Sequence, residues 1–164
     1  MLVAAFFTLA YAAPAQDTSA PPPVSALPRD VRTRLVEKPG IADRTKLSLE
    51  LMNDHLNTAE KSATGENFDA MFKELGVFSA LMDDCLAFLQ KSGTENNKVL
   101  DSLKRFEIGL RPLMPRLETL RREVPFSYEE YLGTLMKAVR DAREKATEPM
   151  FSDKVVPNAK PIDQ

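Results

Sequence analysis

Phe68, Met71, Leu75, Phe78, Met82, Cys85 and Leu89 follow one another at alternating intervals of three and four residues. Only a helix with 3.6 residues per turn lines up such a series on one face. The alternation marks the seam of a helix lying at a shallow angle against its neighbours. Val77, Leu81, Leu86 and Phe88 widen the apolar arc to about half the circumference. This segment is therefore expected to be the most buried in the chain. A strand would need a period of two, and no such alternation competes anywhere.

Three further segments share the pattern. Between Asp43 and Ala63, Leu47, Leu51, Met52, Leu56, Ala59 and Ala63 fall on one broad face. Asp43 is placed to cap the start, and Pro39-Gly40 breaks anything upstream. Thr64-Gly65-Glu66-Asn67 then reverses the chain. Gly93 stands where a glycine ends a helix, and Thr94 can begin the next. From there Val99, Leu103, Phe106, Leu110, Leu113, Leu117, Leu120 and Val124 keep the alternation across Pro112 and Pro115. Each proline removes one backbone hydrogen bond and crowds the preceding turn. Either one long kinked helix or two helices joined near Gly109-Arg111 would result. The unbroken phase of the seam favours the kink. In the last segment Ser127 and Glu130 have the spacing of a capping box, and Phe126 and Tyr131 that of a hydrophobic staple. Tyr128, Leu132, Leu135, Val139, Ala142 and Ala146 supply its seam.

The expected fold is all-α: an antiparallel up-down-up-down four-helix bundle with a proline-kinked third helix. Short turns between long helices favour antiparallel neighbours. A single seam would also suit an intermolecular coiled coil, but the broad second helix argues for a core within one chain. The expected organisation is a signal peptide at 1–15, a proline-rich leader or linker at 16–40, the bundle at 41–148 and an irregular tail at 149–164.

The signal peptide rests on Leu2 to Ala13, a run of apolar and small residues too short to span a bilayer, which takes roughly 20. Ala10-Tyr11-Ala12 and Ala13-Pro14-Ala15 both offer the small-x-small pattern that signal peptidase cuts. No positive charge precedes the run, since only Met1 stands before Leu2. Behind it Pro21-Pro22-Pro23 favours extended polyproline conformation. The chain is thus expected to be exported, periplasmic or secreted, with no stable membrane insertion after cleavage. Pro149, Pro157 and Pro161 break up the tail.

Composition excludes more than it identifies. A formal charge of -2 over 164 residues offers no electrostatic footprint for nucleic acid. The charge is uneven, with nine acids against five bases in residues 41–92 and eleven bases against nine acids in 94–147. That contrast can help two hairpins find each other, although single surface pairs contribute little. Cys85 is the only cysteine, so no disulfide closes within the chain and stability must come from apolar packing.

His55, the only histidine, is the one candidate for cofactor binding. On a helical wheel it lies between Leu51, Met52 and Ala59, near the middle of the inward face, with Ser48 and Ser62 above and below. An inward imidazole can ligate a metal or a haem, or titrate as a switch. A metal site would want further ligands at helical spacing. No Glu-x-x-His pair or Cys-x-x-Cys-His run is present. A core or core-edge histidine, satisfied by a side chain or a carbonyl, is the favoured reading. Asp83-Asp84-Cys85 invites a catalytic reading that helix geometry undercuts. Adjacent residues point about 100° apart, and the thiol has acidic neighbours where activation needs basic ones. Met52, Met71, Met82, Met114 and Met136 lie largely on the seams, where methionine more often fills gaps than binds partners. Arg111, Arg116, Arg121 and Arg122 alternate with Glu107, Glu118 and Glu123 in the manner of a solvated face. No catalytic residue and no metal site is assigned, and no cofactor is expected.

The stretch Leu103 to Pro125, LKRFEIGLRPLMPRLETLRREVP, is similar to segments of uncharacterised exported all-helical bacterial proteins. That resemblance covers at most the two helical hairpins; it implies fold and export and carries no functional residue. The turn around Gly65 and Phe68 faintly resembles that of tetratricopeptide repeats. No second copy follows at a fixed period, and the helix after it is too long. The expectation is a non-enzymatic protein acting by association with an unknown protein partner, with a homo-oligomer left open. The alternative is a carrier of a small apolar ligand or haem held near His55 and the seam methionines.

Overall fold

The computed structural model describes residues 19–93 and 96–151, and all regular secondary structure among them is helical, with no strand. The expected signal peptide, Thr94 and all of the tail beyond Phe151 lie outside the described residues. In chain order the helices are α1 (Arg29–Val36), α2 (Ile41–Thr64), α3 (Phe68–Lys91), α4 (Asn97–Leu110), α5 (Leu113–Glu123) and α6 (Phe126–Thr147). A single 3-10 turn, Glu148–Phe151, follows, and its Met150 packs on the core.

The seams become the core. Leu75, Phe78, Leu81, Cys85 and Leu89 of α3 have no exposure at all, and Met82 is equally enclosed. α3 packs most extensively on α2, α2 also lies along α4, and α4 and α5 both lie along α6. Although consecutive, α3 and α4 share little surface.

The third segment is interrupted at Arg111–Pro112. Both residues keep right-handed helical dihedrals, φ -56°, ψ -51° and φ -69°, ψ -14°. The seam therefore holds its phase, and Phe106, Leu110, Leu113, Leu117 and Leu120 are all buried. Pro112 cannot donate to the turn before it, so α4 stops there. Pro115 sits in the first turn of α5, where an N–H would have no partner inside the helix.

Several local expectations are corrected. The cap of α2 is Gly40, and Asp43 sits inside the first turn, where its charge faces the positive helix end. α6 begins two residues earlier than a capping box would allow, with Pro125 at its cap and no side-chain cap bond. Ser127 is therefore already helical, and Glu130 instead accepts from the Ser19 hydroxyl at 2.8 Å. Phe126 is 79% exposed and staples nothing; the Tyr131 ring meets Phe72 at 4.9 Å. Asn96 caps α4, its side chain accepting from the Lys98 N–H at 2.9 Å. Gly93 does end the preceding helix, with φ 84°. α1 lies inside the stretch expected as a leader and buries Val31 and Leu35. Two apolar residues one turn apart are too short a series to register as periodicity.

Between α2 and α3 the chain closes a Schellman turn. The Asn67 N–H bonds Ser62 O at 2.8 Å and the Glu66 N–H bonds Ala63 O at 2.9 Å. The residue in the left-handed conformation is Glu66, φ 56°, rather than Gly65.

Candidate functional site

His55 stands at the edge of the α2–α3 seam rather than its middle, with 20% of its side chain exposed. Its Nδ1 is hydrogen-bonded to Glu74 Oε2 of α3 at 2.5 Å. Met52, Leu56 and Ala59 around it are fully buried. No group of three or more histidine, cysteine, aspartate or glutamate side chains among the described residues is arranged to hold a metal ion.

Asp83, Asp84 and Cys85 diverge as helix geometry requires. Asp83 is exposed. Asp84 accepts from Arg44 Nη2 at 2.9 Å, and the Arg44 guanidinium lies 4.2 Å from the centre of the Phe88 ring. Cys85 is fully buried, and burial pushes its thiol up to about 12, with the hydroxyl of Ser48 partly offsetting this. Such a thiol is a core residue, not a nucleophile. Met52, Met71, Met82 and Met136 fill the core, and Met114 borders it.

The charged residues of the third segment are not all solvated, which corrects the reading of them as one exposed face. Glu107 is only 5% exposed because two arginines lie over it. Arg111 donates to it through Nε and Nη2, the latter at 2.7 Å, and Arg143 of α6 donates through Nη2 at 2.8 Å. The hydrogen bonds from Arg111 hold this carboxyl below its usual range against the opposing effect of burial, with Arg143 assisting. Arg116 leaves α5 to bridge to α2, donating to Glu60 Oε1 at 2.8 Å and to Asn53 and Asn57, each at 2.7 Å. Arg121 and Arg122 do lie at the surface, beside Glu118. Helix spacing identifies an outward face, but a residue on that face is covered when another helix's long side chain folds over it.

The feature that sequence reasoning missed lies on α3 and α6. The proline-rich segment at residues 19–28 does not hang free but crosses these helices as a strap. The Ala20 N–H bonds Ser127 O at 2.8 Å, and Ala20 and Leu27 pack against the core. Ser19, Ala20, Pro21 and Pro22 share an open depression with Glu130, Tyr131 and Thr134 of α6. Further along, the strap presses its backbone onto Gly76 of α3. A Cβ there would stand 2.6 Å from Val24 O, closer than atoms can approach, and a tight 3.3 Å from Pro23 Cβ. Gly76 is buried, whereas the Val24 side chain points away and is 83% exposed. The contact is thus made by backbone, over bare helix.

Aromatic rings support the same region. Phe72 meets Tyr128 edge-on at 4.8 Å and Tyr131 at 4.9 Å, and Phe68 lies 5.4 Å from Tyr128. Burial, with the nearby charge of Asp83 adding, pushes the Tyr131 phenol up to about 12. The chain matches no known protein family, no curated protein and no solved structure. Gly76 was the available signal: a lone glycine inside a strongly helical, strongly apolar segment usually has a packing reason.

No described helix is long and apolar enough to cross a membrane.

Proposed function

We propose that this is an exported, non-enzymatic helical protein that acts by associating with another protein, periplasmic or secreted according to the cell that makes it. In this reading α2, α3, the α4–α5 pair and α6 are the members of an antiparallel four-helix bundle, kinked in its third member by Pro112. The observation that carries the association reading is the strap. A helical surface that accepts an extended proline-rich segment, with a glycine clearing its path, is built for backbone-to-surface recognition rather than for chemistry. The candidate groups for chemistry argue the same way: His55 is engaged by Glu74, and Cys85 is sealed in the core. The case for export rests on the apolar run from Leu2 to Ala13 and the small residues after it.

Native mass spectrometry of the protein purified from a bacterial periplasm tests the reading. The expected result is a clean polypeptide mass or a whole-number multiple of it. A discrete small-molecule increment, lost in His55→Ala, would overturn it in favour of a ligand carrier.

A further inference from the structure

The strap has a chemistry of its own. A run of three prolines has no N–H groups, so it can lie against an apolar surface without stranding donors. Its extended shape is set in advance, so little conformational freedom is lost on docking. On either side the surface reads what proline does not supply. Before the run, Ser127 O accepts the Ala20 N–H and the Glu130 carboxylate accepts the Ser19 hydroxyl, both at 2.8 Å. After it, bare helix at Gly76 admits the Val24 carbonyl. In the middle, Pro21 and Pro22 share their depression with Tyr131. Proline-rich segments generally dock against aromatic side chains, and Tyr131 supplies one here; the acceptor for the Ala20 N–H is this surface's own addition.

The strap is also lightly held. Pro21, Pro22, Val24, Ser25 and Ala26 are exposed, and only the two bonds at Ser19 and Ala20 tie its start to α6. The anchor that keeps it in place is the chain itself, because α1 follows directly and buries Val31 and Leu35. Tethering supplies a millimolar effective concentration to an otherwise weak ligand.

We propose that the surface formed by Gly76, Ser127, Glu130 and Tyr131 is a recognition site for a proline-rich extended segment of a partner protein, and that the chain's own residues 19–26 occupy it as a resident competitor. This rests on the association reading above and names its site. A partner segment must displace the strap, so the site is masked until the partner's local concentration, or a second contact, outweighs the tether. The segment it takes has a small residue with a free N–H immediately before consecutive prolines.

The test uses a fluorescent synthetic peptide of residues 19–26, Ser-Ala-Pro-Pro-Pro-Val-Ser-Ala, titrated with the full-length protein and with a form beginning at Leu27. Anisotropy is expected to show binding to the shortened form and at least about tenfold weaker binding to the full chain. Replacing the three prolines of the peptide by alanine, or introducing Gly76→Val into the shortened form, is expected to abolish the signal. Equal binding to both forms, or none to a shortened form whose circular dichroism is native, overturns the site. If the latter accompanies a clean native mass, the association reading stands without it. Should the shortened form not fold, Gly76→Val in the full chain decides: the strap is expected to become cleavable by protease within residues 19–28, and unchanged protection overturns the proposal. A full-length chain that pairs with the shortened form in the absence of peptide assigns the site to a second copy, and so overturns the foreign partner.

Discussion

Gly109 tests the close approach of α2 and α4. A Cβ at this position would stand 2.6 and 2.7 Å from the two terminal carbons of Leu49 and 3.2 Å from its Cγ. Two effects oppose each other in Gly109→Ala. Alanine gains about 0.8 kcal/mol of helix propensity over glycine, since the helical path continues through Arg111 and Pro112 into α5. Against this, Leu49 must move by about 1 Å, leaving its rotamer well at a cost of about 0.5–1.5 kcal/mol and giving up some of its packing. Leu49 is half-buried and its branch ends can swing, so the cost falls near the lower part of the overpacking range. The balance is a net destabilisation of about 0.5 kcal/mol. In a Leu49→Ala background the obstacle is gone, and the same substitution should stabilise by about 0.8 kcal/mol. Urea unfolding of the four forms of this cycle should therefore give a coupling of about 1.3 kcal/mol, well above the 0.3–0.5 kcal/mol scatter of independent sites. A coupling within that scatter, or a stabilising Gly109→Ala in the native background, would refute the close contact between the two helices.

Other parts of the structure make equally direct predictions. Glu107→Gln removes a carboxylate whose pKa is depressed in the folded state, so the stabilisation it provides is complete above the ordinary glutamate value of 4.5 and lost as pH falls through the lower folded value. The variant should be less stable at neutral pH and have a flatter acid limb, and parallel acid limbs followed by circular dichroism would contradict this. Cys85, with its thiol raised to about 12, should resist a disulfide reagent at pH 8 in the native protein and react fully in denaturant; rapid native labelling would show that α3 is not packed as described. Glu66→Gly relieves a left-handed non-glycine residue, φ 56°, and should raise stability by about 1 kcal/mol in thermal melts, whereas a loss would argue against the Schellman turn. Arg116→Lys should behave nearly as Arg116→Ala, each losing about 1 kcal/mol, because an ammonium group cannot reach Asn53, Asn57 and Glu60 with one planar fork. Full rescue by lysine would reduce the interaction to charge alone.

The long helices were legible before any coordinates because their signal is local. The alternation of three and four from Phe68 to Leu89, and from Val99 to Val124, states which side of each helix is apolar, and those sides are the ones buried. Proline and glycine marked the interruptions for equally local reasons, since a missing N–H or a left-handed φ concerns one turn of chain. What periodicity cannot state is which surface a face will meet. Glu107 and Arg116 lie on positions that look solvated from within their own segments, and neighbouring helices enclose them. His55 looked inward until Glu74 of α3 drew it to an edge. The leader looked like a tether, because polyproline has no periodic face to announce a contact. Its docking depends on Gly76, more than fifty residues away, and on two acceptors of α6. Apolar spacing alone determined the long helical segments and their buried sides, though not α1, because both follow from 3.6 residues per turn. Only the tertiary structure decided where the strap lies and which charges are covered, because those depend on which surfaces distant segments bring together.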